Sequence, residues 1–504
     1  MSVICAAIIF ASLRCCDGNL RFASYYGDHM VLQKSPQRAV LWGYGTDGAQ
    51  VTVSLSGPVP QKTSSAPMTE GIWQVTLDPV VAGGPYNVTA ASQNSTVILT
   101  DVLFGDIWLC GGQSNMYFKT SQVFNASEEL ANATKYPHLR TFMAALKMSD
   151  TELTDLIQVK LPWSGPTSTA LPGVVAEFSA VCWLFGRYMY DYLRYPIGLV
   201  ESCWGGTPVE AWSSSGALQK CGLKQSEDSP KERNSVLWNA MIHPLLNMTI
   251  YGAIWYQGEA NADYHQDKYN CSFPAMIDDW RKAFHQGSQE QTAHDFPFGF
   301  IQLDTYRINS TDDGFPDIRW HQTADVGFVP NPVMKKTFMA VTFDLPDKTS
   351  PYGTIHPRDK QDVAYRLTLG ARAVAYDEED VLFLGPFPKL IWSTETVINI
   401  TYDQVVSVTP SKDIFEICCS VKRPNESKSQ WAPAAIVNWD PTSIQLSATY
   451  CQPPDEVTAV RYAWRDWPCD FKACPVYSAS RILPAPPFIV NKDPGEGNIW
   501  KSSN

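Results

Sequence analysis

A serine, a pair of glycines, a carboxamide and a histidine each stand where a strand-like run of this chain gives way to a turn. Ser114 lies in "LCGGQSNM", behind two glycines that permit a tight turn after the run "DVLFGDIWL". A serine so placed falls at a helix N-terminus, where unpaired backbone N–H groups favour negative charge. By itself it is equally an ordinary N-cap. "CWGGTPVEAW" follows a second strand-like run, and Thr207-Pro208-Val209-Glu210 reads as a capping box with proline at the first helical position. That leaves Gly205 and Gly206 as side-chain-free N–H donors, which an oxyanion hole requires, although a glycine-rich turn alone explains them as well. A third run ends in "WYQGEAN", so that Gln257, Glu259 and Asn261 leave the sheet at the same edge and Gln257 can donate to an oxyanion. Finally "GTIHPRDKQ" puts His356 just before a helix expected to start at Pro357, and histidine suits general-base work near neutrality. Each residue has a bland explanation alone; together on one edge they describe acyl transfer through a serine nucleophile.

The elements that must position them alternate. "DVLFGDIWL", "YPIGLVES", "YGAIWY", "FPFGFIQL" and "TFMAVTF" read as buried strands. Between them, Phe273, Met276, Ile277, Trp280 and Phe284 recur at helical spacing over 271–286. Alternating β and α with buried strands implies a parallel three-layer α/β sheet, flavodoxin-like in type, with its site at the carboxyl ends of the strands. Residues 19–100 instead carry short strands and Gly/Pro/Asn turns without helical period, as do residues 377–504. The expected organisation is a leader at 1–18, a β-sandwich at 19–100, the α/β domain at 101–376 and a second β-rich domain at 377–504.

A net charge of −12 without a Lys/Arg block excludes a nucleic-acid or anionic-membrane footprint, so an anionic substrate needs local positive groups. The apolar start from Val3 to Leu13 has signal-peptide length, and no later run approaches a membrane span. Nine Asn-x-Ser/Thr sequons, at Asn87, Asn94, Asn125, Asn132, Asn247, Asn270, Asn309, Asn399 and Asn425, suit a glycosylated protein of the secretory pathway. The leader holds three of the thirteen cysteines. The remaining ten can pair; Cys469 and Cys474 would close a small loop, and Cys418 and Cys419 would each bond elsewhere rather than to one another. Gly43 to Gly48 match GxGxxG, but a strand rather than a helix follows, which makes them a β-turn. Neither HExxH nor GxSxG occurs, and no metal or cofactor is expected.

The blocks "GGQSNM", "WGGTPVEAW", "WYQGEAN" and "GTIHPRDKQ", with "DHMVLQKSPQRAVLWGYGTDGAQVTV" and "RYAWRDWPC", resemble the sialate O-acetylesterase family, a branch of the SGNH-type hydrolases. The resemblance spans nearly the whole chain. It implies hydrolysis of O-acetyl esters on sialic acids, free or on glycoconjugates and chiefly at the 9-position, in lysosomes or after secretion. It also implies Ser114 as nucleophile, His356 as base, and Gly205, Gly206 and Gln257 around the oxyanion. Two positions depart from the pattern: Gly111 stands where serine is frequent, and Gly353 where SGNH enzymes often carry the Asp three residues before the histidine. The group orienting His356 is therefore open between Asp344, Asp347 and a backbone carbonyl. Arg358 has two readings, a solvated pair with Asp359 or a fork for the substrate carboxylate. An acetylesterase for other sugars and a silent glycan-binding protein are the alternative functions.

Overall fold

The computed structural model describes residues 19–167, 173–224, 229–394, 396–419, 431–451 and 456–492, with the backbone of 499–500. The expected leader and the Asn425 sequon lie outside them. The central sheet contains β1 (Ser95–Gly112), β2 (Leu139–Ala144), β3 (Val159–Ser164), β4 (Ile197–Cys203), β5 (Gly252–Tyr256), β6 (Phe298–Gln302) and β7 (Thr337–Val341). Their order is β3-β2-β4-β1-β5-β6-β7, parallel throughout except for β3, which pairs antiparallel with β2. The five strands expected from sequence are β1, β4, β5, β6 and β7. The two additional ones, "LRTFMA" and "VKLPWS", sit at one side of the sheet, and their mixed composition lacks the continuous apolar run that marks a strand buried on both faces.

Helices cover both faces. The four-residue α1 (Ser114–Tyr117) caps β1, and α2 (Ala180–Leu193) packs Phe185 edge-on to Trp108 of β1. On the opposite face α3 (Tyr269–Gly287) sets Phe273 against Phe300 and Trp280 against Trp255 and Phe298. Its expected stripe is buried throughout, and each such side chain contributes roughly 1.5–3 kcal/mol. On the α2 side, α4 (Lys360–Ala375) lays Gly370 on the Phe338 ring. The Cys110–Cys182 disulfide fastens β1 to α2.

The boundary expected after residue 100 falls inside one continuous strand. The first half of β1 pairs with Gly83–Ser92 and Val31–Gln33 in the amino-terminal β-structure, and its second half lies between β4 and β5. Thr207–Glu210 is also corrected: Val209–Trp212 makes one 3-10 turn, Thr207 Oγ1 donates to Trp204 O, and the next α-helix begins at Ser215. Of the GxGxxG stretch, Gly43 lies within the strand Val40–Tyr44, paired with Phe22 and Trp73, and only Gly45 to Gly48 form the expected turn after it.

The ten cysteines form four disulfides, including Cys469–Cys474 and Cys419–Cys451, and leave Cys203 and Cys418 as buried thiols. Asn399 is unsuited to carry a glycan: it is buried mid-strand, and its Oδ1 accepts from Gln445 Nε2. Asn87, Asn94, Asn125 and Asn309 are exposed.

Asp344, just beyond β7, ties this sheet to the carboxyl-terminal β-structure. It pairs with Arg366 of α4 through both oxygens, at 2.5 and 2.8 Å, and accepts from Tyr477 Oη at 2.9 Å. Asp344 and Arg366 are both buried. Asp344→Ala would strand a buried guanidinium and is expected to cost about 3–5 kcal/mol. Urea unfolding checks this, and a loss below about 1 kcal/mol would contradict the role.

Candidate active site

Gly112, at φ +134°, turns the chain at the end of β1 so closely under Tyr256 that a Cβ there would lie 2.1 Å from the Tyr256 carbonyl oxygen. Only glycine fits, and the turn delivers Ser114 as the first residue of α1. Gln113 braces the turn: its Oε1 accepts from the N–H groups of Gly258 and Ala260. Across from it, Gly205 approaches until a Cβ on it would stand 3.3 Å from Ser114 Cβ. Among the described residues, the N–H groups of Ser114, Gly205 and Gly206 have no backbone acceptor. The nucleophile candidate and the two glycines are thus together, as expected.

His356 reaches the same place from the loop after β7. Asn115 Nδ2 donates to Ile355 O at 2.9 Å, tying the residue after the serine to the residue before the histidine, and the His356 ring stacks on Phe118 of the same turn. Nδ1 lies 2.8 Å from Tyr352 O. A carbonyl only accepts, so Nδ1 carries the proton and Nε2 keeps its lone pair. Nε2 is buried and meets no partner among the described residues. Burial, and secondarily the Lys360 charge, hold the imidazole below its ordinary value of 6.5 against the opposing Tyr352 bond. At neutral pH the ring is therefore an uncharged acceptor.

Three expectations are corrected by hydrogen-bond partners. Asp344 does not orient His356, because Arg366 and Tyr477 take its oxygens; Asp347 does not either, because Arg358 Nε and Nη2 hold it at 2.6 and 3.0 Å. The orienting group is the Tyr352 carbonyl, the alternative that Gly353 left open. The Arg358 fork is likewise filled by Asp347, with a third bond to Thr349 and the Phe124 ring beneath it, so neither Asp359 nor a substrate carboxylate is its partner. Arg358 also precedes the helix, since α4 starts at Lys360 with Asp359 as its N-cap. Gln257 is fully buried, and its amide nitrogen donates to Thr207 O and Asn261 Oδ1 while its carbonyl accepts from Tyr269 Oη. Both N–H bonds are consumed, so it braces the loop and has none left for an oxyanion.

A buried polar cluster beneath the site was not foreseen. Lys360 is fully buried, donates to Asn115 Oδ1 at 2.8 Å and lies between the Phe118 and Tyr256 rings. Asn115 donates in turn to Glu259 Oε1 at 2.6 Å. Desolvation lowers the Lys360 ammonium and raises Glu259 and Asp304, each moderated by the opposite charge. Asn115, Glu259 and Lys360 all sit in the quoted motifs, but Lys360 reads from sequence as an ordinary helix-start lysine. On the other flank, buried Glu210 accepts from Asn261 Nδ2 and faces His265, fixing the loop after β5.

Comparison with known proteins places the chain among carbohydrate esterases. Residues 104–307 match the family described as carbohydrate esterase, sialic acid-specific acetylesterase, and residues 389–492 match the sialate O-acetylesterase C-terminal domain. The chain is 50% identical to the sialate O-acetylesterases of Homo sapiens and Pongo abelii, over 95% of either chain in each case. The Mus musculus enzyme is 49% identical over 93% of this chain and 94% of its own. A carbohydrate acetylesterase from Xanthomonas citri superposes with a TM-score of 0.79 at 27% identity, covering 94% of this chain and 99% of that one. On likeness that runs the length of the chain, this protein belongs to the sialate O-acetylesterase family.

Proposed function

We propose that this protein removes O-acetyl groups, chiefly the 9-O-acetyl group, from sialic acids through an acetyl-enzyme on Ser114. The observation that carries the mechanism is His356, a neutral imidazole whose Nδ1 is anchored on Tyr352 O and whose buried Nε2, beside the serine turn, has no partner among the described residues. Nε2 takes the Ser114 hydroxyl proton as Oγ bonds to the acetyl carbon, and the carbonyl pair moves onto oxygen. The N–H groups of Ser114 and Gly205 receive that oxyanion, with Gly206 as a further donor. Collapse breaks the bond to the sugar oxygen, which leaves with the proton from His356. Water then adds to the acetyl-enzyme, giving its proton to Nε2, and acetate departs as Ser114 recovers it. Tyr352 O keeps Nδ1 protonated throughout and stabilises the transient imidazolium by accepting its hydrogen bond. The substrate assignment rests on the family, and passage through the secretory pathway to lysosome or medium is supported by four disulfides and exposed sequons.

Ser114→Ala is expected to abolish acetate release at unchanged folded yield, since loss of this hydroxyl costs at most about 1 kcal/mol. Turnover above a trace, with correctly folded protein, would remove Ser114 from the mechanism. Because burial lowers the His356 pKa, the base stays neutral to below 6.5; kcat/KM should therefore rise with pH through an inflection under that value and then level off. An inflection above it would mean that the imidazole is stabilised as a cation. For Gln257→Ala, the partners left behind predict a stability loss of about 1–3 kcal/mol, with any kinetic loss shared among all substrates. Unchanged thermal stability with a selective fall in kcat would return Gln257 to the oxyanion.

A further inference from the structure

The arrangement around Ser114 leaves open what receives the negative charge of the substrate. Arg358 is consumed by Asp347, Lys360 is buried against Asn115, and Lys119 pairs with Glu177. Lys231 differs. It arrives on the segment after residue 229, and its Nζ donates to Gly205 O at 3.1 Å. It also stands 3.0 Å from where a Cβ on Gly206 would lie, and Gly206, at φ +70°, occupies backbone that side chains rarely adopt. No side chain therefore separates Nζ from the glycine turn. Among the described residues no carboxylate lies within ion-pair reach of Nζ, and an ammonium has three donors, of which Gly205 O uses one. In a chain of net charge −12, a cation with no carboxylate partner among the described residues, set on the glycine turn that faces the nucleophile, is the local positive group an anionic substrate needs.

We propose that Lys231 receives the substrate's carboxylate, so that the site reads a sialic acid at two points, the ester at Ser114 and the acid group at Lys231. This rests on the substrate reading above. The contacts through Gly205 put Nζ within roughly 10 Å of Ser114 Cβ, and six bonds separate carbon 9 of a sialic acid from its carboxylate carbon, about 7 Å when extended. One monosaccharide bridges the two groups. Lys231 is then a specificity determinant for the acidic sugar and takes no part in bond breaking.

The test measures acetate release from 9-O-acetylated sialic acid, from its C1 methyl ester and from an uncharged aryl acetate. Wild type is expected to favour the acid over its methyl ester. Lys231→Gln should lose roughly 10–100-fold in kcat/KM on the acid, mainly through KM, and remain near parity on the other two. Lys231→Arg should restore most of the loss. An equal fall on all three substrates would show that Lys231 only braces the Gly205 turn and would overturn the proposal. So would retention of the acid preference by Lys231→Gln; Lys160→Gln, which removes a cation held instead by Tyr117 Oη, then shows whether that residue reads the charge. A wild type that cleaves the aryl acetate and neither sugar would defeat the substrate assignment and this inference with it. One that cleaves both sugars equally would defeat this inference alone.

Discussion

The serine and the histidine come from segments about 240 residues apart, and a single carboxamide holds them together. Asn115 accepts from Lys360 and donates to Glu259 and to Ile355 O, so one side chain joins the turn after β1, the loop after β5, the loop after β7 and the start of α4. The bonds are strong because they are dry and involve charged partners: a buried ammonium and carboxylate each need compensation, and the carboxamide supplies a donor to one and an acceptor to the other. Removal of any member exposes the rest to an unmet desolvation cost. That mutual dependence makes the alignment of nucleophile and base a property of the folded interior.

The same cluster bears on the electrostatics of the base. A positive charge below His356 and a carbonyl at Nδ1 act in opposite senses on the imidazole, and burial decides for the neutral form. An aspartate in place of the carbonyl would favour the cation more strongly. The carbonyl fixes the tautomer and direction of the ring with less bias toward protonation. Gly353, the residue found where an acid is frequent, has φ +87° and open space around it, and the turn it makes lets Tyr352 O point back at the ring.

Much of this was legible in the sequence where one residue type has one physical use. Glycines before and across from Ser114, apolar runs of strand length and the helical stripe from Phe273 to Phe284 each translate into geometry without knowledge of partners. Illegible was whatever depends on which distant residue completes a pair. Arg358, Asp344 and Gln257 are all polar groups at the expected edge, yet each is satisfied by a partner, Asp347, Arg366 or Asn261, that spacing does not reveal. Lys360 gives no local sign of burial, because the carboxylates that accompany it come from separate strand-end loops. Strands β2 and β3 were missed because their composition is too mixed for a fully buried run.

The continuous strand β1 sets a constraint on how this chain can change length. Domains joined by a flexible connector tolerate insertions between them, but here one strand runs from Ser95 to Gly112 across the junction, with a bulge at Asp101, whose φ is +51°. Adding or deleting one residue beyond that bulge, where the strand pairs in regular register with β4 and β5, would turn every following side chain to the opposite face. Either the amino-terminal β-structure or the hydrolase sheet would then present its polar face to its own core, and Ser114 would leave the turn that Gly112 makes for it. Circular permutants and domain exchanges are therefore confined to breakpoints outside β1, and the two domains are bound to evolve as one phase-locked unit.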